Sequence, residues 1–420
     1  MAIVGQALEG SVPLPVNGPA TKAARLGFFR RRFGKYIALS QYGFPFSWGP
    51  HATPVAQFRA LARSARFAGH GGLTLLAQLV MTLTWPFSAL STALKTAKRM
   101  RERGQTSQGA SVFFDMFGLA LRYSIPPLEY ALYRLDDPER RKDMHEYIYW
   151  NDLPGLAALN TKLGAANRDV QDKDRFAGIC VQNDFPHVQT LAVFDHGVQV
   201  YPATPFLPSA SELWVKALRM KGGAGGSKWI KNGDSYRDGT GRKVSAAKLA
   251  EVFRKQDCIV QPFIENHPAI QGVSNGALAS LRIVTGMNAE GNAEFVTSLI
   301  ALPHGGRENS VAGILCGITP EAGRIRRAVL PDGTFMTHHP DTAAPIIDID
   351  LPFWQDSIEL VCRAHATAFR CFAFLGWDIA LTKEGPVLLE TNSGWGALFH
   401  QMLDGPLGRT AFSRLLEQYE

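Results

Sequence analysis

The chain has 420 residues, 46% apolar and 19% charged, an ordinary globular composition long enough for two domains or for one domain with a helical extension. Its five cysteines, Cys180, Cys258, Cys316, Cys362 and Cys371, are scattered without a CxxC, which argues against both a zinc site and a disulfide scaffold and fits a reducing cytoplasm. The net charge of +7 is unevenly placed: residues 1 to 110 hold 14 Lys and Arg against two acids, Glu9 and Glu102, while the remainder is slightly acidic. The N-terminal part should therefore face an acidic neighbour, whether anionic lipid, nucleic acid or protein.

Met1 to Pro19 has no basic region leading into an apolar run, so no secretory signal is read and a cytoplasmic location is expected. Residues 1–55, rich in Gly, Pro and basic side chains and including Arg30-Arg31-Arg32, read as an irregular basic arm. From Pro54 the pattern turns helical, with Phe58, Leu61, Ala62 and Ala65 on one face and Arg59, Arg63 and Arg66 on another. Between Phe67 and Leu94 there is no charged residue over 28 positions. Length alone permits a membrane span. His70-Gly71-Gly72, Pro86, Gln78 and several Ser and Thr make two shorter buried helices the expected reading. The other reading is a helix lying on a membrane surface, with Arg59, Arg63, Arg66, Lys95, Lys98, Arg99, Arg101 and Arg103 toward lipid phosphates. Residues 56–165 are taken as a helical basic N-terminal domain.

The texture changes near Asn167. A helix is expected from Asp172 to Asn183, then strands at Val188–Phe194, Glu212–Leu218, Cys258–Ile264, Leu281–Val284, Glu294–Ala301 and Val311–Cys316. A helix from Trp354 to Phe374 carries His365 on its apolar face, as a core histidine with a hydrogen-bond partner. His338-His339-Pro340 reads as a surface or substrate-facing loop, and Phe399–Tyr419 as a last helix. Mixed strands and helices of this kind indicate an α+β core over residues 166–420.

Two stretches carry chemistry. Glu212 to Trp229 passes from a strand bearing Lys216 into a loop with Gly222, Gly223, Gly225 and Gly226, which lets backbone amides approach phosphate oxygens; it is not a Walker loop. Gly376 to Ser393 reads as two strands joined by a turn at Lys383-Glu384-Gly385-Pro386, with Asp378 of one strand and Glu390 and Asn392 of the other all at strand ends. Side-chain alternation puts Glu390 and Asn392 on one face and Thr391 on the other. Two carboxylates and an amide oxygen suit magnesium held with nucleotide phosphates, against the plain reading of a solvated or salt-bridged hairpin.

The string Gly376-Trp377-Asp378-Ile379-Ala380, followed by Gly385-Pro386-Val387-Leu388-Leu389-Glu390-Thr391-Asn392, resembles the last metal-binding motif of the ATP-grasp superfamily. It is most similar to the sugar-transfer-associated branch. The resemblance implies an ATP-grasp fold, two α+β subdomains gripping ATP, preceded here by the helical domain. It implies Mg2+ on Asp378, Glu390 and Asn392, and phosphate contact by Lys216, with Lys221 as second candidate. Lys173 matches the family's other ATP lysine. Ile259 to Glu265 is similar to the adenine hinge, which gives Gln261 and Phe263 to ATP binding. Arg282, inside an apolar strand, matches the arginine beside the transferred phosphate and is the catalytic candidate; the plain reading is a structural salt bridge. Arg307 and Asn309, before Gly313, are candidates for substrate contact.

The chemistry so implied is that of an ADP-forming carboxylate-amine ligase working through an acyl phosphate, on a small-molecule carboxylate and nucleophile. Phosphotransfer to a hydroxyl would use the same residues. A non-catalytic nucleotide-binding scaffold, with its basic N-terminal region on a membrane surface, is the reading from another class, and no nucleic acid partner is expected.

Overall fold

In a computed structural model of the chain, the residues described are 43–44, 49–50, 52–67, 72, 74–106, 109–166, 168–219, 226–306 and 313–419. They divide into two compact units: Asn160–Trp395, and the described part of Leu8–Leu159 together with Gly396–Glu420.

The second of these units is helical. Helix α1 (Pro54–Phe67) starts at Pro54, whose missing N–H costs nothing in the first turn, and the Thr53 hydroxyl accepts from the Ala56 N–H at 3.2 Å. It buries Val55, Phe58 and Ala62, and Phe58 meets the edge of Phe412 with ring centroids 5.7 Å apart. Helix α2 (Thr74–Glu102) runs unbroken for 29 residues with Pro86 inside it. This corrects the expectation of two shorter buried helices. Helix α1 ends at Phe67 and α2 begins at Thr74, and the single donor that Pro86 lacks is not enough to end a helix held by packing.

Ala77, Met81, Trp85, Ala89 and Ala93 form the buried ridge of α2, and the Trp85 indole donates to Ala120 O at 3.0 Å on α3 (Gly109–Tyr123). The opposite face of α2 is exposed, which the expectation of buried helices also missed. A short α4 (Pro127–Leu132) follows.

The sheet unit carries α5 (Lys173–Gln182) ahead of its strands. Its first sheet has seven strands in the order β2-β1-β7-β3-β4-β5-β6: β1 Ala192–Asp195, β2 Val198–Tyr201, β3 Glu212–Ala217, β4 Ser227–Asn232, β5 Ser235–Asp238, β6 Lys243–Ser245 and β7 Cys258–Pro262. The second has six, in the order β11-β10-β9-β8-β12-β13: β8 Ser280–Met287, β9 Ala293–Leu302, β10 Ile314–Thr319, β11 Arg324–Val329, β12 Phe374–Thr382 and β13 Gly385–Asn392. Among the described residues every pair of these strands is antiparallel.

Helix α6 (Trp354–Ala368) buries Leu360, Val361 and Ala364 in a core that also holds Phe369, just past the helix, and Leu375 and Trp377 of β12. Phe194, Trp229, Tyr236 and Phe253 build a separate core on the first sheet. His365 is a fully buried core histidine, as expected: its Nδ1 meets Thr285 Oγ1 at 2.7 Å and its Nε2 meets Phe372 O at 2.9 Å.

Some boundaries differ from the sequence reading. The expected strand from Val188 begins only at Ala192, because residues 186–188 pair with β13 instead: Leu388 N–H donates to Pro186 O at 2.9 Å and Val188 N–H to Leu388 O at 3.3 Å. The helix expected to reach Phe374 stops at Ala368, since Phe374 is the first residue of β12. The last helix is two, α7 (Ala397–Asp404) and α8 (Ala411–Glu417). Gly405, at φ +93°, and Pro406 part them.

Candidate functional site

The site is written across three neighbouring strands. Arg282 on β8 lies opposite Asp378 on β12, and Asp378 lies opposite Glu390 on β13, so the three side chains form one row on one face of the sheet. The guanidinium grips the carboxylate in bidentate fashion, Nε to Oδ1 and Nη2 to Oδ2 each at 2.6 Å. Asp378 was expected at a strand end. It stands in mid-strand, because β12 is an inner strand paired on both sides.

Alternation along β13 works as expected. Asn392 shares the face of Glu390 and donates to its Oε1 at 3.4 Å, while Thr391 turns inward, buried, and donates to Gly376 O at 3.1 Å. Gly376 is opposite Asn392, and any side chain there would collide with Trp395.

Two lysines approach the row. Lys173 is the first residue of α5, with its Nζ 3.9 Å from Glu390 Oε2. Lys216, near the end of β3 in the other sheet, acts electrostatically on Glu390, Lys173 and Asp378. Burial pushes the Lys216 pKa down and Lys173 adds to that, while Glu390 and Asp378 pull it back up in part. Burial alone would raise the Glu390 pKa. The charges of Lys216, Lys173 and Arg282 outweigh it, and the carboxyl is held below its ordinary value. Asp378 goes the other way: burial and its neighbour Glu390 keep it above the ordinary value despite Arg282.

Three cations thus face two acids in a largely desolvated place, an excess of positive charge that suits a polyanion. The donor set of Asp378, Glu390 and Asn392 is all hard oxygen and fits a magnesium ion.

Beside the lysines lies a small cleft. Phe176, Val188 and Leu388 give it apolar walls, and Lys173, Lys216 and Gln261 give it polar ones. Gln261 is buried on β7, with Nε2 3.5 Å from Val188 O and with its Oε1 lacking a hydrogen-bond partner. That orphan acceptor fits an exocyclic amine of a base. Phe263 is placed otherwise than the hinge reading implies: its N–H already donates to Glu212 O at 3.1 Å, and Lys228 Nζ sits 3.6 Å over its ring.

Of the loop glycines, Gly226 lies where a Cβ would come within 2.7 Å of the Trp214 ring. Gly222, Gly223, Gly225 and Lys221 lie outside the described residues, as do Arg307 and Asn309. His338 is exposed as expected, but His339 is not at the surface; it is buried with Nε2 2.8 Å from Pro303 O. Asp195, His196 and Asp257 also converge, at an exposed place that Arg219 closes with bonds to both acids.

The sequence reading missed Leu388 and the 186–188 segment as parts of the cleft. Leu388 was within reach, since it lies two residues before Glu390 and strand side chains alternate. The pairing of 186–188 with β13 left no local signal.

Comparison with known proteins follows this geometry. The family described as sugar-transfer associated ATP-grasp matches residues 160–415. No curated protein matches. Among solved structures the chain is similar to the N5-carboxyaminoimidazole ribonucleotide synthetase from Thermotoga maritima, at 13% identity and a TM-score of 0.32, over 57% of this chain and 48% of that one. It is also similar to the D-alanine-D-alanine ligase from Helicobacter pylori, at 10% identity and a TM-score of 0.34, over 59% and 58%. The VanG D-Ala:D-Ser ligase from Enterococcus faecalis shows 13% identity and a TM-score of 0.34, over 62% and 61%. The chain therefore spans about half the length of the synthetase it resembles.

Proposed function

Because the chain belongs to the sugar-transfer associated ATP-grasp family, we propose that it is an ATP-dependent, ADP-forming ligase joining a small-molecule carboxylate to an amine or similar nucleophile. The observation that carries this reading is the row Arg282, Asp378 and Glu390 on adjacent strands, with Lys173 and Lys216 brought up against it.

In this reading a carboxylate oxygen of the substrate attacks the terminal phosphorus of ATP, the bond to the bridging oxygen breaks, and ADP leaves. The amine then attacks the carbonyl carbon of the acyl phosphate, inorganic phosphate departs, and the nitrogen loses a proton to solvent or to that phosphate. No side-chain nucleophile is needed, so the protein's work is positioning and charge. Lys173 and Lys216 hold phosphate oxygens, and Glu390 and Asp378 offset in part the burial that lowers the Lys216 pKa. Arg282 stabilises the negative charge that spreads over the transferring group. When bound by oxygens of Asp378, Glu390 and Asn392, magnesium supplies further neutralisation of the phosphates. Gln261 orients the base through its buried Oε1.

The test is release of ADP and phosphate by the full chain with magnesium and pools of carboxylates and amines, set against Glu390→Ala. Release that needs both pools and vanishes in the variant supports the ligase. A phosphate ester formed from a hydroxyl compound, with no free phosphate, would refute it in favour of phosphotransfer. ATP binding without turnover on any pool would point to a scaffold.

A further inference from the structure

We propose that the exposed face of α2 seats the protein on the surface of a bilayer containing anionic phospholipid, with the helix axis lying along the membrane plane. This is independent of the reaction proposed above.

Leu75, Leu76, Leu79, Leu83, Phe87, Leu90 and Leu94 are all exposed, with Leu75 at 78% and Phe87 at 74%. At the angular step of an α-helix these positions fall within an arc of about 120°, and they extend for about 28 Å along the axis. An exposed large side chain by itself is ordinary, but seven in one stripe form the kind of continuous apolar patch that marks a contact surface.

Charge identifies what the stripe meets. Lys95, Lys98, Arg99 and Arg101 are exposed at the C-terminal end of α2, and Arg101 falls on the same angular line as Leu83. The only acid in the helix is Glu102, 3.7 Å from Lys98. From residue 10 to residue 101 the sequence holds no acid at all. An apolar stripe that ends at Lys98 and Arg101, with Glu102 the one acid beside them, complements acyl chains bordered by lipid phosphates. A protein partner's apolar groove would match the stripe and leave those cations unexplained.

Length and composition would let α2 cross a bilayer. Its packing argues for lying on the surface instead. The ridge of Ala77, Met81, Trp85, Ala89 and Ala93 is buried, and Trp85 is bonded to Ala120 on α3. Helix α3 carries Asp115, which is ion-paired to Arg141 and accepts from the Tyr130 hydroxyl at 2.6 Å. A spanning α2 would draw that ion pair toward hydrocarbon, at a cost a surface helix does not meet.

The experiment is co-sedimentation of the full chain with vesicles of phosphatidylcholine alone and of equimolar phosphatidylcholine and phosphatidylglycerol. We expect binding to the mixed vesicles that weakens steeply with salt. The quadruple variant Lys95→Gln/Lys98→Gln/Arg99→Gln/Arg101→Gln should bind at least about a hundredfold more weakly. The triple variant Leu79→Ser/Leu83→Ser/Phe87→Ser should lose binding while keeping the wild-type unfolding midpoint, since the side chains replaced are exposed. If the triple variant misfolds, the quadruple variant and the salt dependence decide alone.

Equal binding to both vesicle types, or binding that the quadruple variant retains, would overturn the proposal. So would resistance to alkaline carbonate extraction, which would indicate a span. Absence of vesicle binding together with a dimer that the triple variant dissociates would assign the stripe to a second copy of the chain.

Discussion

Replacing Arg282 by Met removes one partner from the bidentate pair at the centre of the site. Asp378, with its side chain 11% exposed, then keeps a carboxylate that nothing else on its own strand neutralises. Loss of one partner from a fully buried pair costs about 3–5 kcal/mol. The Arg282 side chain is 31% exposed, so water reaches the vacated space and screens part of the loss. A destabilisation of about 2–3 kcal/mol is the expected outcome.

Arg282→Met/Asp378→Leu removes both charges and should recover most of that stability, because apolar replacements of a buried pair are often close to neutral. Both variants should lose ATP turnover.

The deficit should also depend on pH. Asp378 is already held above its ordinary value by burial and by Glu390, and without Arg282 it rises further. A carboxyl whose folded pKa exceeds its unfolded one binds its proton more tightly when folded, so stability falls as pH rises through the folded value. The deficit of Arg282→Met should therefore be largest near neutrality and shrink toward about pH 4, where the unfolded carboxyl titrates. Urea unfolding at several pH values, followed by near-ultraviolet circular dichroism, measures it. A cost below about 0.5 kcal/mol, or a double variant whose loss is the sum of the two single losses, would refute the coupling of the pair.

Lys216 is the largest of the charges that lower the Glu390 pKa, so Lys216→Met should move the acid limb of the pH profile for ATP turnover to higher pH. A limb that stays in place, with only KM for ATP raised, would mean that Lys173 and Arg282 suffice to keep Glu390 ionised. His365 is pushed down to about 4 by burial, its main cause. Its unfolded form takes up protons first, so the wild type should lose stability as pH falls from about 6.5 to about 4. His365→Gln should flatten that part of the stability curve, and an unchanged slope would place the proton uptake on another group.

The hairpin acids were legible in the sequence because their information is local. Alternation along Val387–Asn392 is enough to put Glu390 and Asn392 on one face and Thr391 in the core. The order of Lys173, Lys216, Arg282, Asp378 and Glu390 along the chain carried the family resemblance. The absence of charge from Phe67 to Leu94 found the apolar character of α2, and periodicity the core role of His365.

Other features needed the tertiary structure. Arg282 and Asp378 are 96 residues apart, and only the register of β8 against β12 makes them partners. Val188 reads as the start of a strand running to Phe194, yet residues 186–188 pair with Leu388 because the hydrogen bonds of β13 were open to them. Most plainly, the apolar run of α2 looked like buried core. A periodic pattern states that a helix has an apolar face, and what covers that face is decided by the elements packed around it. Here Phe67 of α1 covers Ala77 and Met81, α3 takes Trp85 and Ala89, and the leucine stripe on the opposite side stays exposed.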